Sequence, residues 1–173
     1  MIELIHTKPC LVFGCGNPLF GDDGFGPEVI ADLEKNHALP DHAACLDVGT
    51  SIRDFLFDIL LASEKPRQVI VVDAGDCDGK RPGEVFEIDI DKMNPKKTSD
   101  FSLHQFPTTN MLKELQDQTD IEVRVFVVQT TDLPSMVSAG LSPPVMAAVP
   151  DMCRRIRVLI QNRFAGTASE GTV

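Results

Sequence analysis

Two adjacent carboxylates, Asp22 and Asp23, stand in a glycine-rich segment, Gly14-Cys15-Gly16-Asn17-Pro18-Leu19-Phe20-Gly21-Asp22-Asp23-Gly24-Phe25-Gly26, between an apolar run and an amphipathic helical pattern. A strand-to-helix turn normally welcomes an anion, because free backbone N–H groups and the positive end of the helix dipole point at it. Two acids in that place repel phosphate and draw a cation. Asp73 closes a second apolar run, Val69-Ile70-Val71-Val72, and His104 lies in a long polar stretch beyond it. Two carboxylates and one imidazole make a mixed O/N donor set suited to Mn, Fe, Co, Ni or Zn, with positions open for water or substrate.

Taken singly, each residue has an ordinary explanation. Asp22 or Asp23 can cap a helix, Asp73 can cap a turn after a strand, and His104 can be a loop histidine. His6, His37 and His42 have weaker claims, standing at a terminus or beside a helix exit. Asp47-Val48-Gly49-Thr50 differs from an aspartic-protease triplet in its valine and has no second copy to form a dyad, so it reads as a strand end and a turn; Asp47 is at most an auxiliary at the same sheet edge. Gly14, Gly16 and Gly21 do not keep dinucleotide-loop spacing. None of the five cysteines has a base at recognisable spacing.

The elements that must position these residues alternate along the chain. Strands are expected at 11–13, 43–48, 69–72, 85–90 and 123–128. Helices are expected from Pro27 towards Pro40, after a capping box formed by Ser51 and Asp54, from a cap at Thr108 or Thr109 through Leu115, and from Pro143 with a kink or break at Pro150. Only about ten turn-rich residues separate Asp73 from the strand at 85–90, too few for a helical crossover, so that strand runs antiparallel at an edge. The pattern predicts one α/β domain over 1–164, a doubly wound, mostly parallel five-stranded sheet with one antiparallel edge strand and helices on both faces, then a flexible tail at 165–173. Ligands of such sheets bind beyond the carboxyl ends of the strands, where connections depart in opposite directions, so the first and third strands bring Asp22, Asp23 and Asp73 to one crevice.

The chain has 173 residues, 43% of them hydrophobic, and a net charge of −10. That length suits one domain with a sizeable core. The charge argues against nucleic acid or an anionic membrane surface as partner. Five cysteines without a C-x-x-C pair read as reduced thiols. No signal peptide or spanning window is visible, and a soluble, cytoplasmic monomer is expected.

The first segment, with Asp47-x-Gly49-Thr50, Val71-Val72-Asp73-Ala74, Ser102-x-His104-Gln105 and Gly140-Leu141-Ser142-Pro143, resembles the hydrogenase maturation endopeptidases over nearly the whole chain. The resemblance implies an enzyme that removes a short C-terminal extension from the precursor of a [NiFe]-hydrogenase large subunit once nickel is inserted. It implies Asp23, Asp73 and His104 as the metal-contacting and catalytic positions, with Asp22 as the alternative to Asp23. Cys15, Phe20-Gly21 and the acidic chain lean toward the subgroup serving coenzyme F420-reducing hydrogenases. On this view the nickel arrives with the substrate, and isolated protein is metal-free or holds an adventitious divalent ion. Two alternatives use the same residues: a non-catalytic nickel-sensing chaperone of the large subunit, and a self-contained metallohydrolase acting on small amides.

Overall fold

Six consecutive buried residues form β1 (Cys10–Cys15), and eight form β3 (Gln68–Gly75). Strands covered on both faces read as unbroken apolar runs, as Leu11–Phe13 and Val69–Val72 do within these two. The computed structural model describes residues 7–92, 106–131 and 136–164, without the side chains of 106–109. With β2 (Ala43–Gly49), β4 (Val85–Ile88) and β5 (Glu122–Gln129), the strands form one sheet in the order β2-β1-β3-β5-β4. Every neighbouring pair is parallel except β4 with β5, so the antiparallel edge strand falls where the short connection requires it.

Among the described residues, four α-helices cover the sheet. One face carries α1 (Phe25–Asn36) and α4 (Pro143–Phe164), the other α2 (Ile52–Leu61) and α3 (Phe106–Gln118). Alternation along β3 divides the core between them. Val69 and Val71 pack with Leu56, Ile59, Leu112 and Leu115, whereas Ile70, Val72 and Ala74 pack with Val29, Ile30, Leu33, Val149 and Met152. Full burial of each such aliphatic side chain contributes about 1.5–3 kcal/mol. The chain leaves β1 toward β2 on one side while β3 lies on the other, so the switch point falls between β1 and β3. No helix among the described residues is long and apolar enough to cross a membrane.

Several local expectations are corrected. α4 passes through Pro150 as one helix of 22 residues. Proline removes the bond to the carbonyl four residues back, that of Met146, and both residues lie on the exposed side where water can serve it. Apolar contacts before and after, from Val145 and Ala148 to Met152 and Ile156, hold the helix together. Ser51 is the N-cap of α2, but its side chain makes no capping bond; the contact to Asp54 runs between backbones, at 3.0 Å. α3 starts at Phe106, which puts Thr108 and Thr109 inside the helix. β3 extends two residues past Asp73 because it keeps pairing with β5 as far as Gly75, although its ladder with β1 stops at Val72. The tail at 165–173 lies outside the described residues.

Gly26 shows how closely the first helix approaches the sheet. A Cβ there would stand 2.2 Å from the Cys15 carbonyl oxygen, 2.5 Å from the Cys15 nitrogen and 2.7 Å from the Val72 oxygen, all backbone atoms unable to turn aside. Helix propensity alone favours alanine over glycine by about 1 kcal/mol. Overpacking decides the sign, and Gly26→Ala is expected to destabilise the fold by about 2 kcal/mol or more. Thermal unfolding of the variant checks this, since a raised melting temperature would mean that α1 stands further from β1.

Candidate active site at the carboxyl edge of the sheet

β1 ends in the segment that carries the paired acids, and a 3-10 turn, Gly21–Gly24, holds both. Their two carboxylates have different partners. Asp22, 2% exposed, accepts bonds from the Thr131 N–H at 2.9 Å and hydroxyl at 2.8 Å. It also accepts from the Ser142 N–H at 2.6 Å and hydroxyl at 2.9 Å. Burial by itself raises the Asp22 carboxyl, but these four donors outweigh it and hold the group below its ordinary value. Asp22 therefore ties down the start of the segment after β5 and the residue before α4, and does not cap α1.

Asp23, 4% exposed, accepts the Asn17 N–H at 2.8 Å across the glycine turn. Asn17 in turn accepts the Leu19 N–H at 3.0 Å, so the loop is built on side-chain-to-backbone bonds. Gly16 makes the close approach possible. Its φ is +121°, and a Cβ there would lie 1.8 Å from the Asp23 carbonyl oxygen.

Asp73, 1% exposed, stands just beyond the end of the β1–β3 ladder, where its carboxylate accepts the Ala74 N–H at 2.8 Å. The buried thiol of Cys15 registers the local field. Burial pushes it well above the ordinary thiol value, and the carboxylates of Asp73, Asp47 and Asp23 add to that push in this order. Asp47 is exposed and accepts the Gly49 N–H at 2.9 Å in its own turn. The first and third strands thus bring carboxylates fifty residues apart in sequence to one thiol at the switch point. Asp23 and Asp73 are thus two buried carboxylates at one sheet edge in a chain of net charge −10.

His104 lies outside the described residues. Strand alternation puts Asp73 on the face of Val71, the face covered by α3. α3 is followed after a short link by a strand parallel to β3, so it runs against the strands and begins at their carboxyl edge. In sequence, His104 precedes that beginning by two positions.

Sequence reasoning did not single out Thr131 or assign a partner to Asn17 or Ser142. Ser142 belongs to the Gly140-Leu141-Ser142-Pro143 motif, but Thr131 follows a strand end with no spacing signal. Gln129, 4% exposed, was also missed; it accepts the Cys77 N–H at 2.9 Å and donates to Asp76 at 2.7 Å, fixing the turn after β3. Away from this edge, Asp32, His37 and Cys153 bring an oxygen, a nitrogen and a sulfur within 4.8 Å of one another. These groups already serve one another and their neighbours. Asp32 accepts from Asn36 at 2.7 Å, His37 stands 3.4 Å from it, and the Arg157 guanidinium lies 3.4 Å from His37 Nδ1. Burial first, and Asp32 second, push the Cys153 thiol up to about 12. The cluster is a polar tie between α1 and α4. His42 packs its ring on Phe164 and takes no part in the carboxyl edge.

A model of the hydrogenase maturation protease family matches residues 27–158. A Methanocaldococcus jannaschii protein described as a putative hydrogenase maturation protease is 41% identical over 147 residues, 84% of this chain and 92% of that protein. The delta subunit of coenzyme F420 hydrogenase from Methanothermobacter thermautotrophicus is 38% identical over 148 residues, 84% of this chain and 90% of the relative. Among solved structures, the hydrogenase-maturating endopeptidase HybD of Escherichia coli matches with a TM-score of 0.71 at 25% identity, over 89% of this chain and 93% of its own. Fold and relatives together define an α/β endopeptidase on a doubly wound sheet. The chain belongs to the hydrogenase maturation protease family.

Proposed function

We propose that the chain removes the C-terminal extension from the precursor of a [NiFe]-hydrogenase large subunit after nickel insertion, and that Asp23, Asp73 and His104 recognise the nickel held by that precursor. The division of labour between the two adjacent acids supports this most strongly. Asp22 is committed to the Thr131 and Ser142 donors, while Asp23, in the loop after β1, and Asp73, on β3, are both buried at the carboxyl edge of the sheet.

Nickel belongs to the substrate. An incomplete O/N shell from the enzyme would bind it only once the precursor's own ligands hold it, which makes metal insertion the signal for cleavage. Nickel seated there places the scissile bond and polarises its carbonyl. The chain's own candidate for the attacking water's proton is Asp73, buried at that edge. The water oxygen bonds to the carbonyl carbon, the C–N bond breaks, and the proton passes to the departing amine. In isolated protein the same donors would hold at most an adventitious divalent ion.

The 38% identity to the F420 hydrogenase delta subunit favours the coenzyme F420-reducing subgroup as the source of the precursor. A cytoplasmic monomer docking on the larger subunit completes the proposal. His104→Ala is expected to abolish processing without changing the melting temperature by more than about 2 °C. Intact mass of nickel-loaded precursor after incubation gives the answer. Trimming at the wild-type rate would remove His104 from the mechanism.

A further inference from the structure

Residues 136–142, which lead into α4, are laid against the first loop outside the main sheet. Gly21 N–H donates to the Ser138 carbonyl at 2.7 Å and Ser138 N–H to the Leu19 carbonyl at 2.8 Å, forming a parallel bridge between Phe20 and Ser138. Directly after the bridge, the Asp22 carboxylate takes both the N–H and the hydroxyl of Thr131 and of Ser142. Asp23 follows in the same 3-10 turn. The bridged segments carry large side chains in water: Leu19 is 51% exposed, Met136 77% and Val137 68%.

We propose that Asp22 is a positioning residue for processing: it fixes residues 136–142 against the first loop as the ledge along which the precursor's segment beside the scissile bond lies. This rests on the function proposed above. Two observations carry it. First, a carboxylate 2% exposed that is satisfied by both ends of one connection determines where that connection sits. Second, the bridged segment and the acid are parts of one loop, Leu19 and Asp23 being four residues apart, with the bridge at Phe20 between them. The substitution Asp22→Asn would keep the volume but aim an NH2 group at one of the two backbone N–H groups, that of Thr131 or that of Ser142, since these bond to different carboxylate oxygens, and a backbone N–H, unlike a hydroxyl, cannot rotate to accept. The ledge would loosen, while Asp23, held by its own bond from Asn17, would stay in place.

Steady-state processing of nickel-loaded precursor by Asp22→Asn, with amide hydrogen exchange over 136–142, tests this. The expected result is a KM raised about tenfold, a kcat within about threefold of wild type, and faster exchange in that segment. A kcat reduced about a thousandfold would make Asp22 part of the reacting machinery and overturn the proposal, as would an unchanged KM. Ser142→Ala, which keeps the backbone donor, is the second variant should Asp22→Asn fail to fold; a KM raised about threefold supports the proposal and an unchanged one overturns it. Asp23→Asn run alongside separates the two levels. Full activity in that variant would sink the proposed site itself, whereas an inactive Asp23→Asn beside an unaffected Asp22→Asn would sink only the positioning role.

Discussion

Asp73→Asn is expected to fold as well as the wild type and to cut no precursor. The carboxylate is 1% exposed on β3, two residues before that strand ends. Asparagine keeps the shape and still accepts the Ala74 N–H through its carbonyl oxygen, so the local backbone bond survives. Removing a desolvated charge from among acids leaves stability unchanged or raises it, by about 1 kcal/mol, a few degrees in melting temperature for a domain of this size. Asparagine is a far poorer ligand for a divalent ion and accepts no proton at neutral pH. Processing should fall about a thousandfold or more. Parallel thermal unfolding and intact-mass time courses read the two effects. Lost activity with lost stability would make Asp73 a structural acid, and retained activity would remove it from the mechanism.

The second large effect lies in the substrate. A carboxylate-rich crevice in a chain of net charge −10 gives an uncharged peptide bond little reason to bind. Nickel supplies the attraction and the polarisation together, so precursor that has not received nickel is expected to be cleaved about a thousandfold more slowly or not at all. Supplying free nickel to the enzyme should not restore cleavage. The ion must sit beside the scissile bond in the precursor, not only in the crevice. Activity on nickel-free precursor after metal is added to the enzyme alone would instead describe a self-contained metallohydrolase.

The sheet was legible because its signals are physical and local. The unbroken apolar run Val69–Val72 demands a strand covered on both faces, and the link of about ten residues after it forbids a crossover, which fixes β4 as the antiparallel edge. Convergence of the first loop with Asp73 follows from that topology alone. The division between Asp22 and Asp23 was not legible, because it depends on partners 109 and 120 residues away. No spacing rule connects Thr131 and Ser142 to an acid in the first loop. Side-chain capping at Ser51 failed for a similar reason: the motif shows which residues stand at the turn, but not that a backbone bond will serve in place of the hydroxyl. Of the kink or break expected at Pro150, the break does not occur, because the sequence shows the missing N–H and not the buried contacts on either side.

Whether this crevice reads the nickel in the precursor can be measured directly in one competition. Nickel-loaded and nickel-free precursor, distinguished by isotopic labelling, are mixed in one tube with a substoichiometric amount of the chain and followed by intact mass. The loaded form should lose its C-terminal extension to completion while the nickel-free form keeps its full mass. Equal loss from both forms would contradict nickel recognition as the basis of cleavage.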